Sequence, residues 1–394
     1  MSDSIPTLAP DAVITGHGAI ERLPGLVAAT GAKRALLICG RTSFEASGAA
    51  RILPTLEGQV ALRRWDEHRP NPTVEDIAAG LAVAAEHRPD LIIGVGGGST
   101  LDTAKLIAAL SAVEDGSDVG RVARRLESRE ASGDRDVYLM LVPTTSGSGA
   151  QATHFATVYV EDVKHSVAER TLLPDRIILD PALAMSGTSY QRAVSGIDAL
   201  AQAIESMWAV GGDEQSRSTA ENAIQLLLPA IVDFAHHPDP ATAVAMATGS
   251  QLAGEAINRS RTTLPHALSY AITQQIGLPH GHAVAHTLPA VLARHLAPEV
   301  DAIVGVTPAE HRRNMDRLCD ALGRSQQGDP VAYLERLVRD LGLRDPQRSA
   351  HARIRAAVDA LIASADPVRS NNNPVHFSYR HLWDVLVDVE GHTR

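Results

Sequence analysis

The 394-residue chain predicts two domains of different class: an α/β domain on a parallel sheet over residues 1–183, and an all-helical domain over residues 184–394. Three observations lead there. Short, wholly apolar runs alternate with helical stretches as far as about Pro181, the rhythm of strand–helix–strand units. Beyond Arg192 the apolar residues recur at i, i+3, i+4, and strand-like runs become scarce. The clearest apolar run ends in a glycine-rich turn, GVGGGSTLDTAK from Gly94 to Lys105, that opens a helix.

The elements follow in order. Arg34 to Gly40 (RALLICG) reads as a strand, with a helix opening at Ser43 and running to Ala50. Gln59 to Trp65 is a second short strand, followed by the turn-rich His68–Pro72. Thr73, with Asp76 three positions on, has the makings of a helix N-cap. Leu91 to Gly98 (LIIGVGGG) is apolar on both faces, as a strand buried between helix layers must be. Val137–Thr145 and Arg176–Leu179 supply further strands, while the charged stretch 114–135 reads as a solvated helix and loop. From Arg192 to Glu390 the pattern is helical, as in Ala220–Leu228 and His351–Ile362.

Composition narrows the function classes. Hydrophobic residues make up 44% of the chain, enough for a sizeable core, but aromatics only 3%, so Ala, Leu, Val and Ile must build it. The formal charge of −10 and the lack of a basic block argue against nucleic acid as a partner. Two cysteines, Cys39 and Cys319, exclude a disulfide scaffold. No apolar run approaches the length of a membrane helix, and the start, MSDSIPTLAP, lacks a signal-peptide pattern, so a cytoplasmic protein is expected.

Two constellations carry chemistry. In the glycine turn, Gly96, Gly97 and Gly98 allow close approach of a ligand and positive φ at little cost. Ser99 and Thr100 are placed to cap the following helix, whose first N–H groups favour an anion such as a pyrophosphate. The loop after the next strand, Pro143 to Gln151, offers the hydroxyls of Thr144, Thr145 and Ser148 to the same ligand, or is a Ser/Gly connector. In the helical half, Asp198 and Gln202 share a helix face, and His266, His280, His282 and His286 follow. An Asp and two His from separate segments suit Zn or Fe(II). The alternative is that these are core or surface residues among 17 histidines.

GVGGGSTLDTAK, PTTSGSG, GIDAL and PHALSY followed by PHGHA occur in an order that resembles the iron-containing (group III) alcohol dehydrogenase family, over about residues 10 to 390. The resemblance implies a Rossmann-like N-terminal domain and a helical C-terminal domain, the architecture shared with dehydroquinate synthases. A cleft between them would hold a nicotinamide dinucleotide and a metal. It implies that Gly96, Gly97, Gly98 and Ser99 form the pyrophosphate loop and that Thr144, Thr145 and Ser148 contact the cofactor. Lys164 matches a lysine near the ribose, and Asp102 a position read here as helix- or loop-stabilising. The family's four metal ligands, one Asp and three His, fall on Asp198, Gln202, His266 and His280. Gln202 stands where the family has His, and its neutral carbonyl oxygen is a poorer donor than imidazole. Three readings stay open: metal on the remaining three ligands, weak metal, or none.

Where NAD-preferring members carry an Asp after the first strand, this chain reads Cys39-Gly40-Arg41-Thr42, so NADP is expected alongside or ahead of NAD, with Arg41 pairing the 2′-phosphate. Hydride transfer between nicotinamide and a carbonyl or carbinol carbon is implied, with His280 on the metal and Tyr270 or His282 relaying the proton. The segment around His266 is most similar to phosphonoacetaldehyde-reducing members, and Arg259 and Arg261 are candidates for an anionic substrate group. The alternative within the family is oxidation of a peptide's C-terminal Thr with decarboxylation, as in daptide-type peptide biosynthesis. A cyclase and a non-catalytic binding partner are the remaining readings. A homo-oligomer, dimer or larger, is implied; no nucleic acid or membrane partner is.

Overall fold

The computed structural model describes residues 5–112, 116–128, 135–161, 163–344 and 348–387. They fall into two compact units: residues 1–187 with 239–247, and residues 188–238 with 248–394. The first unit thus runs past residue 183 to Gly187, and it also takes in the opening of a helix from the second half of the chain.

The first unit is a six-stranded, wholly parallel sheet. Its strands are β1 (Val13–Thr15), β2 (Arg34–Cys39), β3 (Ala61–Trp65), β4 (Leu91–Gly96), β5 (Tyr138–Pro143) and, after a separate hairpin of β6 (Phe155–Val160) and β7 (Val163–Ala168), β8 (Arg176–Leu179). The order across the sheet is β1-β8-β5-β4-β2-β3. The helices are α1 (Leu23–Thr30), α2 (Ser43–Ala46), α3 (Leu53–Glu57), α4 (Val74–His87), α5 (Gly98–Leu110) and α6 (Val119–Ser128). Alternate residues of β2 serve two cores. Leu36 and Ile38 join Ile77, Leu81, Leu101 and Ile107 on one face. Ala35, Leu37 and Cys39 join Ile20, Leu23, Phe44 and Ile52 on the other. Burial on both faces is why these strands read as continuous apolar runs.

One local expectation changes, and two features were not anticipated. The helix expected over Ser43–Ala50 is a single turn, α2, followed after Gly48 (φ 76°) by a 3-10 segment. β1, three residues long, and the β6–β7 hairpin had no reading in the sequence. In the charged stretch 114–135 the helix is α6, and residues 114, 115 and 129–134 lie outside the described residues. Elsewhere the local signals act as read. Thr73 and Asp76 close a reciprocal capping box at the start of α4.

The second unit is helical. It is built from α7 (Ser189–Trp208), α8 (Glu214–His236), most of α9 (Pro240–Ser260), α10 (Leu264–Ile276), α11 (His280–Leu296), α12 (Pro308–Ala321), α13 (Arg324–Gln327), α14 (Pro330–Asp340), α15 (Arg348–Ala363), α16 (Pro367–Asn371) and α17 (Tyr379–Val387). Helix α7 is its axis: Ile197, Leu200, Ile204, Met207 and Trp208 are fully buried. Among the described residues no helix is long and apolar enough to cross a membrane.

Candidate active site

The sheet order reverses between β2 and β4: from β2 the chain moves outward to β3, and from β4 it moves the other way to β5 and β8. Ligands of open parallel sheets bind beyond the carboxyl ends of the strands at such a switch point. Here the two carboxyl ends, in register at Cys39 and Val95, open onto a cleft of about 470 Å³ lined by Gly40, Arg41, Arg69, Gly97, Gly98 and Ser99 among others.

The glycines act differently from expectation. Among the positive-φ glycines of the chain, Gly96, Gly97 and Gly98 do not occur, and Gly97 has φ −78°. At Gly96 and Gly98 neighbours occupy the space of a Cβ, whereas at Gly97 the nearest atom, Thr145 Cγ2, would lie at an ordinary 3.5 Å. At Gly96 the Cβ would lie 2.5 Å from Thr100 Oγ1, and at Gly98 2.7 Å from Ser148 Oγ. The N-cap of α5 is Gly97, not Ser99 or Thr100, and no side chain caps it. Ser99 Oγ instead accepts the Asn71 N–H at 3.1 Å, and Thr100 is buried. The first N–H groups of α5 therefore carry no side-chain cap at the cleft, the arrangement that suits a phosphate. The second loop is tied in by the Thr144 N–H to Gly96 O at 2.9 Å. Thr144 Oγ1 is buried without a hydrogen-bond partner, a hydroxyl available to a ligand.

Beneath this loop sits a residue the sequence reading passed over. Lys105, fully buried, donates to Ala150 O at 2.8 Å, to Thr153 Oγ1 at 3.2 Å, and to Phe155 O. Burial lowers its pKa to about 8, against the pull of Asp102. Asp102 accepts the Thr157 N–H at 3.0 Å, which ties α5 to β6. Burial raises the pKa of Asp102, opposed by the charges of Lys105 and Lys164, which lies on β7.

In the helical unit Asp198, His266 and His280 each bring one ligand atom within 4.8 Å of the others. Asp198 Oδ1 lies 3.4 Å from His266 Nε2 and 3.8 Å from His280 Nε2. Ligand atoms around a tetrahedral ion with bonds of about 2.1 Å are about 3.4 Å apart, so the spacing suits one cation. His266 Nε2 is buried without a hydrogen-bond partner. Such an atom is costly unless something binds it.

The other nitrogen of each ring is already fixed. His266 Nδ1 bonds Glu205, a fully buried carboxylate on α7 that also accepts the Thr263 N–H and, at 2.8 Å, the Thr263 hydroxyl. Ser269 Oγ donates to His266 O at 2.8 Å, so at 3.1 Å it accepts from His280 Nδ1–H. Both imidazoles thereby present Nε2 to the common point. Burial alone would lower the His266 pKa, but the Glu205 and Asp198 carboxylates outweigh it and raise it to about 9. The proton held there is the one a cation displaces. Gln202 Nε2 donates to Asp198 Oδ2 at 3.3 Å.

Tyr270 lies beside His280, ring centroids 5.5 Å apart. His282 Nδ1 instead pairs with Tyr190 Oη at 2.8 Å, and His286 with Leu386 O. Arg259, expected to meet a substrate anion, is committed elsewhere. Its guanidinium closes on Asp213, the N-cap of α8, with Nε 3.0 Å from Oδ2. That pairing holds the Asp213 carboxyl down at about 2. Glu205 was legible in principle: Asp198, Gln202 and Glu205 stand at i, i+4 and i+7 on one helix face. Ser269 carried no such signal.

A switch-point cleft on a parallel sheet and, in a helical unit, a carboxylate and two imidazoles around one point define a two-unit protein with a candidate metal site. Residues 10–181 match the family model for iron-containing alcohol dehydrogenases and residues 192–388 the model for their C-terminal part, so the chain belongs to the iron-containing alcohol dehydrogenase family. It is 33% identical over 279 residues, 70% of each chain, to long-chain-alcohol dehydrogenase 1 of Geobacillus thermodenitrificans. It is 34% identical over 264 residues to the phosphonoacetaldehyde reductase of Streptomyces viridochromogenes, covering 64% of this chain and 65% of that one. In fold it matches the sulfoacetaldehyde reductase of Bifidobacterium kashiwanohense, solved with NAD+, at a TM-score of 0.82 and 22% identity over 98% of both chains.

Proposed function

We propose that this family member interconverts a small anionic aldehyde and its alcohol with NADP(H) or NAD(H), using Fe(II) or Zn(II) held by Asp198, His266 and His280. One observation carries the reading: three side chains from three helices offer their ligand atoms to one point, with both imidazoles held in the tautomer that coordinates. When bound, the cation supplies a Lewis acid for the carbonyl oxygen, and the nicotinamide supplies the hydride. Glu205 and Ser269 orient the imidazoles. Gln202, donating to Asp198, supports a ligand rather than acting as one, so a three-ligand centre is the form we favour. Tyr270, against His280, is the nearer proton-relay candidate, whereas His282 is occupied by Tyr190.

The uncapped start of α5 suits the pyrophosphate, and Arg41 in the same cleft, with no carboxylate directly after β2, favours NADP. An anionic aldehyde is favoured because two similar proteins are named for phosphono- and sulfo-substituted acetaldehydes. The test is metal analysis of the purified protein together with absorbance of reduced nicotinamide, using phosphonoacetaldehyde and sulfoacetaldehyde with each cofactor. Turnover that needs one tightly held divalent ion per chain, with kcat/KM for NADPH at or above that for NADH, is expected. Metal-reconstituted protein that oxidises neither cofactor with either aldehyde overturns the reading. Gln202→His should tighten metal binding about tenfold or more by adding an imidazole; an unchanged affinity ends the three-ligand argument.

A further inference from the structure

We propose that Arg369 reads the acid end of the substrate, so that the site selects short aldehydes carrying a phosphonate, sulfonate or carboxylate. This rests on the reading above and deepens it. With Arg259 closed by Asp213, an arginine from a distant part of the chain takes its place. Arg369, on α16, lays its guanidinium 4.8 Å from the centroid of the Tyr270 ring. His280 also neighbours that ring, 5.5 Å away and tilted by 30°. Cation and candidate metal ligand are thus both neighbours of one aromatic ring.

A guanidinium stacked on a ring keeps its N–H groups in its own plane, directed outward for hydrogen bonds. Nε donates to Thr262 Oγ1 at 2.9 Å, and Nη1 forms an ion pair with Asp366 Oδ2 at 3.5 Å. Among the described residues Nη2 makes no hydrogen bond. The Arg369 side chain is 16% exposed and that of His280 32%, so both remain accessible while partly shielded from water. In such surroundings a charge-assisted bond to an anion is stronger than in bulk water.

The position is built rather than incidental. Asn372 Nδ2 donates to Ser260 O at 2.8 Å and to Thr262 O at 3.0 Å, while its Oδ1 accepts the Gly211 N–H. These bonds clamp the turn at Arg261, whose φ is 60°, directly before the helix that carries His266 and Tyr270. Asn372 thus fixes where α16 and its arginine lie against α10. The guanidinium lies 4.8 Å and the imidazole 5.5 Å from the centroid of the same ring. An acid group on the substrate gains from a cation beside the ring that also neighbours a candidate metal ligand, whereas a long alkyl chain gains nothing from the charge.

The experiment compares kcat/KM for phosphonoacetaldehyde with that for butanal, in wild type, Arg369→Met, Arg369→Lys and Arg261→Met. The preference for the anionic aldehyde should fall about 30-fold or more in Arg369→Met, chiefly through KM, and recover in part in Arg369→Lys. Phosphonoacetate as a competitive inhibitor should weaken in parallel, a readout that survives low turnover. Equal losses on both aldehydes, with the preference intact, mean a structural role and overturn the assignment; so does a loss of preference confined to Arg261→Met. A wild type with no preference for the anionic aldehyde overturns the substrate class itself. If Arg369→Met does not fold, as judged by circular dichroism, the lysine variant and the inhibitor carry the test.

Discussion

The two candidate binding regions are made of different material. In the sheet unit the glycine turn meets the cleft with main chain, an uncapped helix start and glycines packed against Thr100 and Ser148 over a buried lysine, while Arg41 and Arg69 line the cleft beside it. In the helical unit the ligand atoms belong to side chains, each held from behind by another side chain. At the glycine turn exchange is limited by volume; at the ligand cluster it is limited by chemical type as well. Substitutions should therefore fail for different reasons in the two places.

The largest expected effect is at Glu205. It is fully buried and bonded to His266 Nδ1 and to both donors of Thr263, and Thr263 Oγ1 in turn accepts from Trp208 Nε1 at 2.8 Å. Glu205→Gln keeps the volume but removes the charge that draws the His266 proton to Nδ1. Metal affinity, read by competition with a chelator, should fall 10- to 100-fold, a magnitude usual for partners behind a metal ligand. The cofactor's dissociation constant should move little. A variant with wild-type metal affinity would mean that Nδ1 needs no anionic partner, and the contrast between the regions would lose its chemical half.

The same contrast separates what the sequence disclosed from what it hid. Strands β2, β4, β5 and β8 were legible because burial on both faces leaves an uninterrupted apolar signature. The β6–β7 hairpin was not: β7 is largely half-buried, and its Lys, His and Ser break the pattern. Helix start signals worked at Thr73 and misled at Ser99, where the hydroxyl goes to Asn71 and leaves the cap to Gly97. Asp198, His266 and His280 were placed by a family resemblance, and their supports on three-dimensional neighbours have no linear spacing to betray them. Arg259 misled because a partner 46 positions away claims it.

At Gly98 the argument is steric. An added Cβ would sit 2.7 Å from Ser148 Oγ and 2.9 Å from Ser148 Cβ, so Gly98→Ala must displace the second loop. About a tenfold rise in the cofactor's KM is expected, by analogy with other small intrusions into packed sites, with metal content held at the wild-type level. Adding Ser148→Gly removes the collision and should restore much of the loss. A double variant no better than the single one would show that Gly98 matters for something other than volume.

The smallest expected effect sharpens the comparison through pH. In the helical unit His295 is buried, stacked on Trp208 at 4.3 Å and bonded to His311 and Asn373. Burial, with His311 adding to it, pushes its pKa down to about 3, and burial lowers His311 as well. A group whose folded pKa lies below its unfolded one stabilises fully above the unfolded value, about 6.5, and loses that stability as pH falls toward 3. His266, raised instead, already contributes in full below 6.5 and adds no slope there. In the sheet unit Asp90, whose pKa is held down by the Lys33 and Arg34 N–H groups despite burial, weakens only below about 4. Hydrogen exchange resolved by region should therefore show the helical unit losing about 1 kcal/mol by roughly pH 5.5 while the sheet unit holds. His295→Gln, which cannot titrate, should flatten that slope. Equal weakening of both units, or an unchanged slope in the variant, would place the acid sensitivity elsewhere.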